Sequence, residues 1–531
     1  MTKNLFATEA LAQIPKILTL LDRNFHSPTY GCFDRNFWQY KIIDFPSGMS
    51  QEFVYPLALA YHTDLENNPY YHEPVIRDWV EAAILYAAKS AHADGSCDDY
   101  FPFERAGGAA AFSLLACIES YQLLQLNNQA AIDFFIKRAD WLAHHQESGR
   151  LTNHQALIVL CLELLSRLLN TDRWNEQKEQ RLEQVLSWQN PEGWFQEYEG
   201  CDPGYHTLTI SCLARIYQLI PHNRLKDAIA KAVILAAHFI HPDGSYGGEY
   251  TSRNTYNFFP HGFELVGKWL PEALSINDQF LKGMAKGLAP CYADDHIIGH
   301  HTWNYLLAWR DFVPARPPLK PRPHGRLWLR EAGILIDRRQ GTELYLALNK
   351  GGVFKLFREG QLMASDTQFS LSVQEGKKLK NAVAHLVSQH YKIGVDEDII
   401  TIEGALGWAK QKQMTPLNLM ILRIVMLTVG RFFPNLIRKL LQKMLITGKK
   451  NAPFAFYRQL RWEDDHWKVI DELHADSWEQ VLSAAIGCDQ TSIYVVMSRT
   501  YQRGQLRQWL DLTDKIKPLK SGEKLILERE F

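Results

Sequence analysis

A turn built from an acidic residue and a glycine, followed by a polar aromatic loop and a helix rich in small residues, recurs along this chain. That recurrence restricts the fold more than any other feature. Residues 93–116 read ADGSCDDYFPFERAGGAAAFSLLA, residues 191–214 PEGWFQEYEGCDPGYHTLTISCLA, and residues 242–267 PDGSYGGEYTSRNTYNFFPHGFELVG. Gly95, Gly193 and Gly244 mark the turns, and the first interval is nearly double the second. A degenerate copy is therefore expected near 145, where ESGRLTNHQALIVLCLELL occupies 147–165. Extrapolation adds IIDFPSGMSQEFVYPLALA at 42–60 and YADDHIIGHHTWNYLLA at 292–308, making six units. Between them lie stretches such as EPVIRDWVEAAILYAAKSA (73–91), with apolar residues recurring at three and four as in amphipathic helices.

Six outer–inner helix pairs suit a closed (α/α)6 toroid over residues 1–313 better than an open solenoid. Closure makes the inner helices apolar all round and gathers the loops before them at one mouth. Residues 313–324, VPARPPLKPRPH, hold five prolines, so 314–325 reads as an extended linker. Beyond it, runs such as RLWLREAGILIDRR and TSIYVVMSRTY alternate with period two between glycine turns. Residues 326–531 are therefore expected to form an antiparallel β-sandwich-like domain, making the chain multidomain, α then β.

One segment departs from this pattern. Residues 404–462 contain no Asp or Glu, yet carry Arg423, Arg431, Arg438, Lys439, Lys443, Lys449 and Lys450 among Leu, Ile, Met and Phe. A basic helical insertion at about 414–448 is expected there, too short to span a bilayer but suited to peripheral membrane contact through 414–450 or to an anionic polymer.

The overall charge is −1, which excludes nucleic-acid binding by bulk electrostatics. The cysteines, at 32, 97, 117, 161, 201, 212, 291 and 488, form no CxxC pair, which suits a reducing compartment. The first residues read as an amphipathic helix rather than a signal peptide. A cytoplasmic location is expected, with membrane association through the basic segment.

Polar residues in the mouth loops are the candidates for chemistry. Asp94, Asp98, Asp99, Glu104 and Arg105 precede the second inner helix, and Asn153 and His154 open the third. Tyr205 and His206 open the fourth, Glu249, Arg253, Asn254 and Tyr256 precede the fifth, and His296, His300 and His301 lie at the sixth. The histidines have i,i+4 spacing, but no HExxH glutamate accompanies them, so neither a metal nor another cofactor is expected.

Here the chain resembles the heparinase II/III-like superfamily of toroid-plus-sandwich polysaccharide lyases. The resemblance rests on TNHQAL at 152–157, on EGWFQEYEGCDPGYHTLTISCL at 192–213, and on the strand pair FYRQLRWEDDHWKVIDEL. It implies cleavage of an acidic, uronate-containing polysaccharide by β-elimination; the cytoplasmic reading and the basic segment point to exopolysaccharide metabolism as a setting. By resemblance Asn153 neutralises the uronate carboxylate, Tyr205 is acid/base, and His154 is base or second neutraliser. Arg253 would clamp a carboxylate, and His206, Glu249, Asn254, Tyr256 and His301 are further substrate-binding candidates. A uronyl C5-epimerase needs the same residues and stays open. So do a non-catalytic glycan-binding protein and a triterpene-cyclase-like toroid.

Overall fold

The structure is a computed structural model that describes residues 3–531 apart from 148, 198–199, 293–294, 410–414, 443–449 and 490–499. Among the described residues, twelve helices build the ring. They are α1 (Asn4–Leu20), α2 (Val54–His62), α3 (Pro74–Ser90), α4 (Gly107–Leu123), α5 (Gln129–His144), α6 (Thr152–Leu169), α7 (Asn175–Ser187), α8 (Pro203–Leu219), α9 (Asn223–Ala236), α10 (His261–Gly267), α11 (Glu272–Ala285) and α12 (Asp295–Arg310).

The even-numbered helices form the inner wall. Each packs on the next, and α12 returns to α2, closing the circle. The sixth hairpin joins chain ends, since its inner helix α12 pairs with the outer helix α1. Trp309 Nε1 donates to Asn4 Oδ1 at 3.2 Å, and Phe6 and Tyr305 pack with ring centroids 5.8 Å apart. The division into inner and outer follows from composition. In α4 the glycines Gly107 and Gly108 leave room for the Glu147 and His154 side chains, and the helix is buried almost throughout. In α9 the buried residues Leu225, Ala228, Ile229, Ala232 and Val233 fall on one stripe, as expected of an outer helix.

The repeated turn has one geometry. Gly95, Gly193 and Gly244 donate to the main chain of His92, Asn190 and His241, whose own N–H groups donate to Ser96, Trp194 and Ser245. All three glycines have positive φ (88°, 105° and 93°). A Cβ on Gly244 would lie 2.4 Å from the Gly283 nitrogen of α11, so both the conformation and the close approach require glycine. Each turn is thereby pressed against the outer helix of its own hairpin.

After 312–324, which carries no regular structure, two antiparallel sheets follow. The first is a meander of β1 (Gly325–Leu329), β2 (Ile334–Arg339), β3 (Thr342–Ala347), β4 (Val353–Arg358) and β5 (Gln361–Asp366). The second contains β6 (Phe369–Glu375), β7 (Lys378–Val383), β8 (Lys392–Val395), β9 (Ile399–Ala409), β10 (Asn451–Glu463), β11 (His466–Ala475), β12 (Val481–Ile486), β13 (Leu510–Asp511) and β14 (Lys524–Glu530). Its order is β13-β12-β6-β7-β9-β10-β11-β14, with β8 paired to β9.

The first sheet is covered on both faces. Leu335, Leu344, Leu346, Phe354 and Leu356 enter the sandwich core, while Ile334, Ile336, Tyr345, Val353 and Phe357 pack against the ring. This is why β3 is buried at every position. Between the sheets, the fully buried Arg458 donates to Asp366, Asp471 and the Gly352 carbonyl. Between β9 and β10 stand α13 (Pro416–Val425), a π-helical turn (Met426–Gly430) and α14 (Pro434–Gln442).

Candidate active site

The start of α6 carries the centre of the site. Leu151 bridges to Glu197, and Thr152 Oγ1 donates to the Gln196 carbonyl at 2.6 Å, so the loop after the Gly193 turn lies across the helix N-terminus. Glu197 therefore receives two donors from one residue. The Asn153 backbone N–H donates to Oε1 at 3.0 Å, and the Asn153 side-chain Nδ2 donates to Oε2 at 2.8 Å. A carboxylate is favoured at a helix N-terminus. Burial nevertheless dominates and pushes the Glu197 carboxyl up to about 7, against the opposing pull of Arg253, Asn153 and His154. Asn153 Oδ1 is buried and has no hydrogen-bond partner among the described residues.

His154 lies one residue on. Its Nδ1 is 2.8 Å from Glu147 Oε2, and its side chain is 20% exposed. The other Glu147 oxygen accepts from the Gly108 N–H at the start of α4. A Cβ on Gly108 would lie 2.4 Å from the imidazole Cε1, so the ring occupies space that only glycine leaves.

Tyr205 stands in the first turn of α8, whose N-cap Asp202 accepts from the Tyr205 N–H at 2.9 Å. The Arg253 guanidinium lies 4.2 Å from the Tyr205 ring centroid and 3.7 Å from Glu197 Oε2. Asn153, Glu197, Arg253 and Tyr205 thus form one continuous chain of contacts at the mouths of adjacent inner helices. His154 is beside it. A carboxyl poised near neutrality can hold or release a proton.

Behind these residues the centre of the ring is filled. His300 and Trp303 donate to the two oxygens of Glu52 at 2.8 and 2.6 Å. Phe112 stacks on His300 with centroids 4.5 Å apart, and Phe259 stacks on His301 at 4.1 Å.

Five expected substrate-binding residues are engaged elsewhere. His206 is buried, with Nε2 2.9 Å from the Ala232 carbonyl of α9, and burial lowers its pKa to about 4; it joins an inner to an outer helix. His301 is buried against Phe259 and hydrogen-bonded to the Phe258 main chain, and burial drives its pKa well below the usual value. Glu249, Asn254 and Tyr256 serve the interface with the sandwich. Lys350 Nζ donates to the Glu249 and Thr251 carbonyls at 2.8 and 2.7 Å and to Asn254 Oδ1. Lys355 Nζ reaches Tyr256 Oη at 2.7 Å and Glu249 Oε2 at 3.1 Å. These three stand in the loop before α10, where the repeat predicts them. The mouth there is already covered by lysines from a sheet that sequence periodicity could not position.

In the second mouth loop, Asp98 accepts from the Phe103 and Arg105 N–H groups, and Arg105 pairs with Asp94 at 2.6 Å. These acids hold their own loop. The His296 side chain lies outside the described residues.

Glu197 and Glu147 were missed, although both lie within the repeated units. A buried acid three or more residues from a helix start has no distinctive spacing, and only the fold of the loop shows its partner.

Comparison of the sequence with family models and with curated proteins finds no match. Among solved structures the chain is similar to heparinase III (TM-score 0.52, 10% identity, covering 91% of this chain and 76% of that one). It is similar to a chondroitin AC lyase from Streptomyces coelicolor (TM-score 0.52, 10% identity, 99% and 79%). A xanthan lyase from Paenibacillus gives a TM-score of 0.50 at 9% identity, over 90% of this chain and 46% of that one. The likeness covers ring and sandwich together, and this chain shares the toroid-plus-sandwich fold of these structures.

Proposed function

We propose, from a fold shared with heparinase III and chondroitin AC lyase, that this chain is a polysaccharide lyase cleaving an acidic, uronate-containing polysaccharide by β-elimination. The observation that carries this reading is the contact chain Asn153–Glu197–Arg253–Tyr205, with His154 beside it. In β-elimination a base removes the proton at C5 of the uronate, the C4–O bond breaks, and a C4=C5 double bond forms. The departing oxygen takes up a proton, and no water is consumed. The C5 proton becomes acidic enough only when charge on the neighbouring carboxylate is dispersed.

The Asn153 amide suits that task in one of its two orientations. When Glu197 is ionised, Nδ2 is spent on it. When Glu197 is protonated, its O–H donates to Oδ1, and the amide turns Nδ2 toward a substrate carboxylate. A Glu197 carboxyl raised to about 7 makes both states available near neutrality. Arg253 supplies positive charge to the same carboxylate or to a Tyr205 phenolate. Tyr205 takes the C5 proton or protonates the leaving oxygen, and His154 Nε2 is the complementary group, since Nδ1 is committed to Glu147.

His154 is where this cluster meets solvent. Asn153 and Tyr205 are covered in this conformation, and the loops that carry Gly200 and Ser252 meet, since a Cβ on Gly200 would lie 3.0 Å from the Ser252 side chain. The reading requires these loops to part for a sugar to enter.

The test is incubation with uronate polymers while the ultraviolet absorbance of unsaturated uronate ends is followed. Rising absorbance that is lost in Tyr205→Phe supports the reading. Deuterium uptake at C5 without new chain ends would replace it with the C5-epimerase, and binding without either would leave a glycan-binding protein.

A further inference from the structure

The helical insertion has no role in the site described above, and its surface is unlike the rest of the molecule. Of the 28 exposed large apolar side chains among the described residues, 11 lie between Leu417 and Leu440. None of the residues of α13 is buried. Leu417, Met420, Ile421 and Ile424 recur at three and four along α13, and Phe432 and Phe433 extend the apolar surface beyond it. Helix formation is deliberate: Thr415 caps α13 by accepting from the Asn418 N–H at 3.2 Å, and Pro416 occupies the first helical position. Soluble proteins rarely leave so much contiguous apolar surface uncovered.

We propose that α13 and α14 dock this chain on an anionic lipid bilayer, lying in the interface with their apolar side chains among the acyl chains. The exposed apolar face, charge and length select this occupant. The charge is complementary: residues 404–462 hold no acidic residue, and Arg431 stands among the apolar side chains, while Arg423 ties the helix to the ring through Asp44. A second copy of the same face would set these like charges against each other, and an anionic polysaccharide would leave the leucines and phenylalanines in water. Length is the third observation, since among the described residues no helix is long and apolar enough to cross a membrane. The face also has a fixed place on the ring. Arg423 Nη1 pairs with Asp44 at 2.9 Å and stands 5.5 Å from the Phe45 ring centroid, in the loop that leads into the first inner helix. Docking would therefore bring the rim of the ring to the lipid surface. This proposal rests on observations separate from those behind the lyase reading.

The experiment is co-sedimentation of the full chain with vesicles of phosphatidylcholine alone or with about a third phosphatidylglycerol. Binding at least tenfold tighter to the anionic vesicles, weakened by salt, is expected. The double variant Ile421→Asp, Phe433→Asp should lose at least tenfold in vesicle binding while cleaving soluble uronate polymer as the native chain does. Arg431→Glu should weaken binding by about fivefold or more. Equal or absent binding to the two vesicle types would overturn the proposal, as would a double variant that binds like the native chain. A dimer that the double variant abolishes and that vesicles do not dissociate would assign the face to a second copy instead. Absence of any lyase activity would leave the vesicle result intact.

Discussion

Glu197 and Asn153, separated by 44 residues of chain, meet through two hydrogen bonds at the N-terminus of one inner helix. The pair joins a buried carboxyl raised to about 7 to an amide whose remaining oxygen has no partner among the described residues. The arrangement has consequences both for stability and for activity.

Folding raises the Glu197 pKa from 4.5 to about 7. Between these values the folded chain binds more protons than the unfolded one, so this group's contribution is full below about 4.5 and is lost as pH rises through 7. Glu197→Gln should remove that dependence and flatten the stability profile between pH 4.5 and 7 by about 3 kcal/mol. Denaturant unfolding of both proteins at several pH values measures it. If protonated Glu197 turns Asn153 toward substrate, the same variant retains activity and loses the alkaline fall near pH 7. Complete inactivity of Glu197→Gln would rule out that role.

Tyr205→Phe keeps the ring beneath Arg253 and removes only the hydroxyl. A fall of about 10²–10⁴-fold in kcat with an unchanged melting temperature is expected. A loss of stability equal to the loss of activity would mark Tyr205 as packing alone.

Gly108→Ala tests the position of His154 without touching it. The added methyl group would meet the imidazole at 2.4 Å, so the ring must move off Glu147. We expect kcat/KM to fall by about tenfold or more, since a displacement of this size disturbs proton transfer. Lyase kinetics beside a thermal melt separates this from general destabilisation.

Lys350 donates its three protons to three oxygens of the loop 249–254. Burial lowers its pKa from 10.5 to about 7. Here the unfolded chain binds more protons, so stability should rise with pH between about 7 and 10.5. Lys350→Met leaves the loop oxygens without that donor and is expected to cost about 3 kcal/mol. It should also abolish the alkaline rise. Differential scanning calorimetry across that pH range gives both results.

Much of the fold was legible because it is repetitive. A turn that needs a glycine against an outer helix leaves that glycine at a fixed interval, and Gly95, Gly193 and Gly244 recorded it. Asn153, His154 and Tyr205 were singled out for the same reason, since they stand at equivalent positions in successive units. Glu249, Asn254 and Tyr256 stand in the loop before α10, as the repeat predicts, while their contacts there were not legible. Their partners Lys350 and Lys355 lie in a hairpin about a hundred residues downstream. His206 shows the opposite failure. It sits beside Tyr205, yet one step along a helix turns a side chain by about 100°, away from the mouth and into the outer layer.

The amino-acid sequence by itself determined the ring, the change to strands after the prolines and the exposed basic insertion, because hydrophobic period and turn chemistry act locally. Only the tertiary structure decided which polar groups share a site. Charge, burial and hydrogen bonding depend on distances between segments remote in the chain, and Glu197 acquires its raised pKa only where Asn153, Arg253 and a dry ring mouth close around it.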